Sequence, residues 1–199
     1  APLFPAGERL DGYLRPDPGN PAAVQKALFD LSDMVGEYEK PRYVKFTEDL
    51  CAHSRSMRTG CTRCLDVCPV SAITPAGDHV SIDAYVCGGC GACNSVCPTG
   101  AATYDMPPAN ALYERLRTLL TTYVRAGGEK PVLLIHDERH GADMIHAVAR
   151  FGNGLPANVL PFAVNEVTQT GLDLLACAFG WGASAVRILV PPQRRGELA

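Results

Sequence analysis

Eight cysteines between residues 51 and 97 have the side chains and the spacing that hold metals in proteins. The second group, CGGCGACNSVCP (87–98), has the spacing C-x2-C-x2-C-x3-C-P. In this pattern three thiolates bind three irons of one four-iron cube, and the fourth cysteine reaches another cube. The glycines between the cysteines allow the backbone to fold tightly around such a cube. The group therefore predicts one-electron chemistry at iron–sulfur clusters.

The first group, CTRCLDVCP (61–69), repeats the end of the second group at an offset of 29 residues. Upstream of both groups, VKFTEDLC matches VSIDAYVC at an offset of 36 residues, which pairs Cys51 with Cys87. The two offsets differ because the stretch between Cys51 and Cys61 contains seven additional residues. We therefore predict an internal repeat in which Cys51 is the first metal ligand of its half.

Two other interpretations of the cysteines stay open. Cys51 could be an ordinary small apolar residue, which would leave its cube short of a ligand and favour a three-iron cluster. The C-x2-C pairs could instead form a structural zinc site, because zinc also binds thiolates. Zinc does not require the third cysteine, the C-x3-C-P ending or its duplication, so the pattern favours iron–sulfur clusters. The longer loop is a mild objection to Cys51, since closing it adds only about 1 kcal/mol.

Residues 42–105 resemble the bacterial-type 2[4Fe-4S] ferredoxins. The resemblance implies an α+β ferredoxin-like dicluster domain with a pseudo-twofold β-α-β-β-α-β order and two [4Fe-4S] clusters. It also implies crossed ligation, in which each half lends one cysteine to the other cluster. The implied ligands are Cys51, Cys61, Cys64 and Cys97 for the first cluster, and Cys68, Cys87, Cys90 and Cys93 for the second. The inserted loop departs from the family pattern and leaves the shape around the first cluster open.

The inserted loop and the start of the first group carry several cations and no acid. The stretch AHSRSMRTGCTR contributes His53, Arg55, Arg58 and Arg63, whereas the matching stretch of the other repeat has no charge. One interpretation is a solvated surface loop. The other is a basic collar over an anionic cluster, which would favour the reduced state and dock an acidic redox partner.

The composition excludes several classes of protein. The chain has 199 residues, of which 47% are hydrophobic, so it can form one medium domain or two small ones. A net charge of −3 disfavours nucleic acid as a general partner. No apolar run is long enough to cross a bilayer, and APLFPAGERLDGYLRPDP contains no signal core, so we expect a cytoplasmic protein. The initial Ala favours a processed product or an excised piece.

Helix signals and prolines divide the chain into three predicted parts. Residues 1–41 contain an irregular segment followed by a helix, which Asn20 caps and whose apolar stripe runs from Val24 to Val35. Residues 42–106 form the dicluster domain. Residues 107–199 form a small α/β domain, which begins with a helix over 110–126.

The α/β domain alternates strand-like and helical segments. Apolar runs at 131–136, 157–164 and 185–190 are separated by helical patterns at 142–151 and 170–180. This order predicts a three-stranded parallel sheet with right-handed crossovers. A parallel sheet with so few helices packed on its two faces is unusual. We therefore expect a fragment, or a subunit that a partner completes.

Three features of the α/β domain could carry further chemistry. His136, Asp137 and His140 in HDERH (136–140) could bind a metal, although a polar loop that starts a helix is the preferred interpretation. The loop NEVTQTG (165–171) is predicted to border a crevice and could hold a small ligand or a partner. Cys177 is predicted to be a buried thiol without a ligand role.

The sequence GLDLLACAFGWGASAVRILV (171–190) is distantly similar to the small iron–sulfur subunits associated with heterodisulfide reductase and methyl-viologen-reducing hydrogenase. That family uses several cysteines here for a further cluster. This chain has only Cys177, so the similarity implies a docking role without that cluster.

The leading hypothesis is an electron-transfer module with two [4Fe-4S] clusters, attached by its α/β domain to a larger oxidoreductase assembly. We expect its partner to be a redox protein or another domain of that assembly. No nucleophile or general base can be named, so we do not expect an enzyme by itself. The alternatives are an iron–sulfur sensor or scaffold, which full ligation disfavours, and a subunit that binds substrate at the two polar loops.

Overall fold

A computed structural model describes residues 13–37, 39–192 and 194. The chain divides into two compact units, residues 1–41 and residues 42–199. The predicted irregular segment at 1–19 lies partly outside the described residues, and its described part contains no helix or strand. The boundary predicted at residue 107 stays a prediction.

The described residues of the first unit include the predicted helix, α1 (Pro21–Ser32). Its N-cap is Asn20, whose side-chain oxygen accepts a hydrogen bond from the Ala23 N–H at 3.2 Å. The helix ends at Ser32, so Val35, the last member of the predicted apolar stripe, lies beyond it.

The cysteine-rich residues 42–106 form short strands and two short helices. In chain order these are β1 (Val44–Phe46), β2 (Ser54–Arg55), β3 (Arg58–Thr59), α2 (Arg63–Val67), β4 (Ile73–Ala76), β5 (His79–Ile82), α3 (Ala92–Val96) and β6 (Ala102–Tyr104). Without β2 and β3, the order is β-α-β-β-α-β. Strand β1 pairs antiparallel with β6, β4 with β5, and β2 with β3.

The strand pairing exchanges partners between the two repeats. Strand β1 leads into Cys51 and pairs with β6, which follows Cys97. Strand β5 leads into Cys87 and pairs with β4, which follows Cys68. Each lead-in strand is therefore held by the strand that closes the other cysteine group.

Equivalent hydrogen bonds extend both pairs. The Thr47 N–H donates to the Ala101 carbonyl at 2.8 Å, and the Asp83 N–H donates to the Ala72 carbonyl at 2.9 Å. Thr47 and Asp83 are 36 residues apart, whereas Ala72 and Ala101 are 29 apart, as the two repeat offsets require. The backbone thus follows the internal repeat that the sequence predicts.

The seven additional residues are accommodated by the hairpin β2–β3. Its turn residues Ser56 and Met57 have φ values of 51° and 61°. Positive φ at two central residues is typical of the tight turns that match the twist of a hairpin. At the base of the hairpin, the N–H groups of Gly60 and Cys61 both donate to the His53 carbonyl. The insertion therefore closes on itself between Cys51 and Cys61.

The remaining residues form the predicted three-stranded parallel sheet. Helix α4 (Ala109–Arg125) precedes β7 (Val132–Asp137), α5 (His140–Phe151), β8 (Val159–Val164), α6 (Leu172–Gly180) and β9 (Ala185–Leu189). The strand order is β8-β7-β9. Pro161 is compatible with β8 because β8 is an edge strand, where a missing ladder donor is tolerated.

The core of this part lies between the sheet and the helices α4 and α6. Leu116 and Leu120 of α4 and Leu133 and Ile135 of β7 are each 0% exposed. Burial of such apolar side chains is the main favourable term in folding. Within the described residues, no helix is both long and apolar enough to cross a membrane.

The loop after β8 is buried against the cysteine-rich part, which differs from the predicted crevice. The 3-10 turn Val167–Gln169 contacts α3, and the residues from Val167 to Gly171 are all buried. The Asn94 amide donates to the Gln169 carbonyl at 2.9 Å. A Cβ atom on Gly91 would lie 2.5 Å from the Gln169 Cβ, so only glycine fits there. The polar residues suggested an open edge, but they meet another part of the chain.

Candidate metal centres

Four of the clustered cysteines line one cavity. This first cavity has about 350 Å³ of empty space and is bordered by Cys51, Cys61, Cys64 and Cys97. Three of these cysteines come from the first half of the repeat, and Cys97 comes from the second. The inserted hairpin does not separate Cys51 from the rest, because its base closes between Cys51 and Cys61.

The other four clustered cysteines line a second cavity. It has about 400 Å³ of empty space and is bordered by Cys68, Cys87, Cys90 and Cys93. Here Cys68 is the residue that comes from the other half. The structure thus groups the eight side chains into the two sets that the ferredoxin resemblance implies. That these thiols are the cluster ligands stays a prediction.

The backbone directs the two crossing cysteines in the same way. Cys68 ends α2 with φ −76° and ψ 107°, and Cys97 ends α3 with φ −73° and ψ 113°. Each helix is one short turn and gives way to extended backbone at its cysteine. Together with the exchanged strands, this geometry brings Cys97 to Cys51 and Cys68 to Cys87.

The thiol electrostatics reflect the same two sets. Burial raises the pKa of Cys64, and the neighbouring charges of Cys51, Cys61 and Cys97 raise it further. Burial, followed by the charges of Cys90 and Cys87, raises the pKa of Cys93 to about 12. Thiolates crowded in this way repel each other, so a cationic group among them would be stabilised.

Backbone N–H groups donate to both crossing sulfurs. The Ala72 N–H lies 3.3 Å from Cys68 Sγ, and the Ala102 N–H lies 3.5 Å from Cys97 Sγ. Desolvation opposes the thiolate of Cys97, but hydrogen bonds from Ala102 and Thr99 leave its pKa below the usual value. Hydrogen bonds of this kind favour a negatively charged sulfur. At Cys97 these bonds favour the thiolate, which is the form in which a cysteine binds metal.

The surroundings of both cavities fit a four-iron cube. Each cavity has four thiols, and apolar residues of β1 and β5 line both: Phe46 and Val80 in the first, Val44 and Ile82 in the second. All nine cysteines lie in the described part of the chain, and none forms a disulfide. Among the described residues, no group of three or more His, Cys, Asp or Glu side chains surrounds a position for one metal ion.

The predicted basic residues occupy different positions around the first cavity. Arg63 is exposed at the surface and also lines the cavity. Arg55 and Arg58 are exposed partners in the hairpin and do not line it. The collar that the sequence suggested is thus limited to Arg63 among the three arginines. Within the described residues, no ion pair involves any of them.

His53 also lines the first cavity, and the sequence indicated it only as one of the basic residues of the inserted loop. It is 5% exposed, and its Nδ1 donates to the Cys61 carbonyl at 2.8 Å. The spacing of His53, two residues after Cys51, does not by itself indicate that His53 lies at the cavity. Only the hairpin, which folds His53 back towards Cys61, places it at the cavity.

Cys97 also borders a surface groove, so the first cavity is next to solvent. The groove runs between the two short helices and α6, and its lining includes Arg63, Asp66, Cys97 and Leu172. Leu172 is 79% exposed. Of the residues around the first cavity, Arg63, Cys97, Pro98 and Ala102 also border this groove.

The polar loop after β7 has a structural role. His136 and Asp137 are buried, and Asp137 Oδ1 accepts hydrogen bonds from the N–H groups of Arg139 and Gly141 at the start of α5. This agrees with the preferred interpretation of HDERH as a loop that starts a helix. Cys177 is half-buried rather than buried, and it packs against the core between the sheet and its helices.

Replacing Cys97 tests whether the cavities are cluster sites with crossed ligands. Cys97→Ala should convert the first cluster to a three-iron or labile form, because only Cys51, Cys61 and Cys64 remain. The second cluster should stay intact although Cys97 is its neighbour in sequence. Iron analysis should give about four to seven irons per chain instead of about eight, with one four-iron EPR signal.

Cys177→Ala is the matched control, since it removes a cysteine that borders neither cavity, and it should retain about eight irons. Cys51→Ser should affect the same cluster as Cys97→Ala. Damage by Cys97→Ala to the cluster of Cys90 and Cys93, with the other cluster intact, would contradict the crossed arrangement.

Comparison with known proteins identifies the family of the central segment. Residues 57–101 match the family model of the 4Fe-4S dicluster domain. The matched segment contains seven of the eight clustered cysteines, and Cys51 lies outside it. No curated protein and no solved structure gives a significant match. The similarity of residues 171–190 to small subunits of other redox enzymes stays a prediction. The chain therefore contains a ferredoxin-type 4Fe-4S dicluster domain.

Proposed function

We propose that this chain transfers single electrons through two [4Fe-4S] clusters and serves as a module of a larger redox assembly. The observation that carries the proposal is the grouping of eight cysteines around two cavities, four to each. The family match over residues 57–101 supports the type of cluster. Cys51, Cys61, Cys64 and Cys97 would hold the first cluster, and Cys68, Cys87, Cys90 and Cys93 the second.

When bound, the clusters supply the one-electron redox chemistry, and the protein supplies position and electrostatics. The four thiolates at each cavity would hold one cluster. The apolar residues of β1 and β5 that line the cavities would keep water away from the bound clusters. The N–H groups of Ala72 and Ala102 donate to the crossing sulfurs, which stabilises negative charge at each site.

The competing functions have less support. A sensor benefits from an incompletely ligated cluster, whereas each cavity here has four cysteines. A substrate-binding subunit would use the polar loops after β7 and β8. His136 and Asp137 are buried next to the start of a helix, and Val167–Gln169 are buried against α3. Neither loop therefore presents an open substrate site.

We propose that a redox partner docks beside the first cluster. Arg63 and Cys97 connect the first cavity with the surface groove, so an electron would have a short path to solvent there. Arg55 and Arg58 add positive charge on the adjacent hairpin, which favours an acidic partner. The larger assembly and a cytoplasmic location stay predictions.

Iron and sulfide analysis of anaerobically purified protein tests the proposed function. We expect about eight irons and eight sulfides per chain, because two four-iron cubes are bound. Dithionite reduction should produce EPR signals of reduced [4Fe-4S] clusters and bleach the visible absorption. Protein that contains zinc instead of iron, and no visible absorption, would refute the proposal.

Arg63→Gln tests the docking site near the first cluster. Oxidation of the reduced protein by ferricyanide, an anion, should become roughly twofold to fivefold slower at low salt, since one attractive charge is lost. Oxidation by hexaammineruthenium(III), a cation, should not become slower. Stopped-flow absorption measures both rates.

Arg125→Gln at the end of α4 is the matched control, because it removes the same charge without lining either cavity. It should change neither rate. If both variants slow the oxidation by ferricyanide equally, the effect comes from net charge. The first cluster is then not the preferred site of electron exit.

A further inference from the structure

The loop that carries Cys90 and Cys93 is held by hydrogen bonds from outside the second cavity. The Tyr104 hydroxyl donates to the Gly89 carbonyl at 2.7 Å. The Thr168 hydroxyl donates to the Cys90 carbonyl. Neither Tyr104 nor Thr168 borders the second cavity, which the loop itself lines. Both hydroxyls therefore approach the loop from its far side.

The two hydroxyls are buried and well anchored. Tyr104 is 4% exposed and Thr168 is 2% exposed. The Asn165 amide donates to the Tyr104 hydroxyl, so this oxygen accepts one hydrogen bond and donates another. Burial raises the pKa of Tyr104 to about 12, so its hydroxyl retains the donated proton at neutral pH. Thr168 and Asn165 both belong to the segment after β8.

These bonds fix two consecutive peptide groups. The Gly89 carbonyl shares a peptide plane with the Cys90 N–H, and the Cys90 carbonyl shares one with the Gly91 N–H. In a planar trans peptide the C=O and the N–H point in opposite directions. Since both carbonyls point to the far side, the N–H groups of Cys90 and Gly91 are turned to the side of the cavity.

The backbone conformation supports the same orientation. Gly89 and Gly91 have φ values of 75° and 76°, in the left-handed region on either side of Cys90. Alternation between right- and left-handed residues directs successive N–H groups to one side and forms an anion-binding nest, as at many iron–sulfur sites. A Cβ on Gly91 would meet Gln169, so the segment after β8 is packed against the loop at this glycine.

We propose that Thr168 and Tyr104 are positioning residues that set the reduction potential of the second cluster, by aiming the N–H groups of Cys90 and Gly91 at it. The inference rests on the proposed function, because it requires a cluster in the second cavity. Thr168 comes from the segment after β8, so the sheet-bearing part of the chain tunes one of the two clusters. The first cavity has no contact with Thr168.

The direction of the effect follows from charge. One-electron reduction adds a negative charge to the cluster and its thiolates, and N–H donors stabilise that charge. Loss of an orienting hydrogen bond should therefore make the second cluster harder to reduce. We expect the loss of one such bond to change the ratio of reduced to oxidised cluster by up to about tenfold, which is the upper end of what a single hydrogen bond contributes. For one electron, a tenfold change corresponds to about 59 mV.

The test is an EPR-monitored redox titration of the full-length chain and its variants. Thr168→Val keeps the side-chain shape and removes the hydroxyl, so the midpoint potential of one cluster should shift to more negative values. Thr168→Ser keeps the hydroxyl and should restore the original potential. Tyr104→Phe should shift the same cluster in the same direction. Combining each variant with Cys51→Ser identifies the cluster that shifts. Cys51→Ser damages the first cluster, so the remaining four-iron signal comes from the second.

Thr121→Val is the matched control, because its hydroxyl donates to the Arg117 carbonyl within α4, away from both cavities. It should leave both potentials unchanged. Unchanged potentials in Thr168→Val and Tyr104→Phe, with both clusters bound, would overturn the inference. An equal shift of both clusters, or the same shift in Thr168→Ser, would also overturn it.

A failure of this inference can be distinguished from a failure of the proposed function. If the unaltered chain binds no iron–sulfur cluster, the proposed function fails. If it binds two clusters and titrates in two waves that the variants do not move, only this inference fails. If Thr168→Val loses its second cluster, Tyr104→Phe provides the deciding potential.

Discussion

Antiparallel strand exchange between the two repeats is the interaction on which both candidate metal centres depend. β1 pairs with β6 and β5 with β4, so each cysteine loop is closed by a strand from the other half. The equivalent bonds Thr47 to Ala101 and Asp83 to Ala72 fix the register. Without this exchange, Cys97 would stay beside its sequence neighbours, and the first cavity would have three thiols instead of four.

The two candidate metal centres have different surroundings in the folded chain. The second centre is covered on one side, where the segment after β8 packs against Gly91 and donates a hydrogen bond to the Cys90 carbonyl. The first centre borders the groove beside Arg63 and Cys97. Under the proposed function, the segment after β8 would adjust the potential of the second cluster, and the groove beside Arg63 would be where a partner exchanges electrons with the first.

Much of this organisation could be predicted from local patterns. The two repeat offsets predicted the place of Cys51 beside Cys61 and Cys64, and the apolar periodicity predicted the parallel sheet. The hairpin was missed because its turn residues, Ser56 and Met57, are not the glycine or asparagine that usually mark such turns. The burial of Val167–Gln169 was missed because polar residues at the end of a strand suggest a surface. Only packing against another part of the chain reverses this second expectation.

The proposed function requires two bound cubes with one cysteine exchanged between the halves. Diffraction from anaerobically grown crystals at the iron absorption edge is a direct test, because it locates the irons and their sulfur neighbours together. We expect two four-iron peaks, with Cys97 Sγ bonded to the same cube as the sulfurs of Cys51, Cys61 and Cys64. A map in which Cys97 and Cys93 bind one cube, or in which zinc replaces the irons, would contradict it.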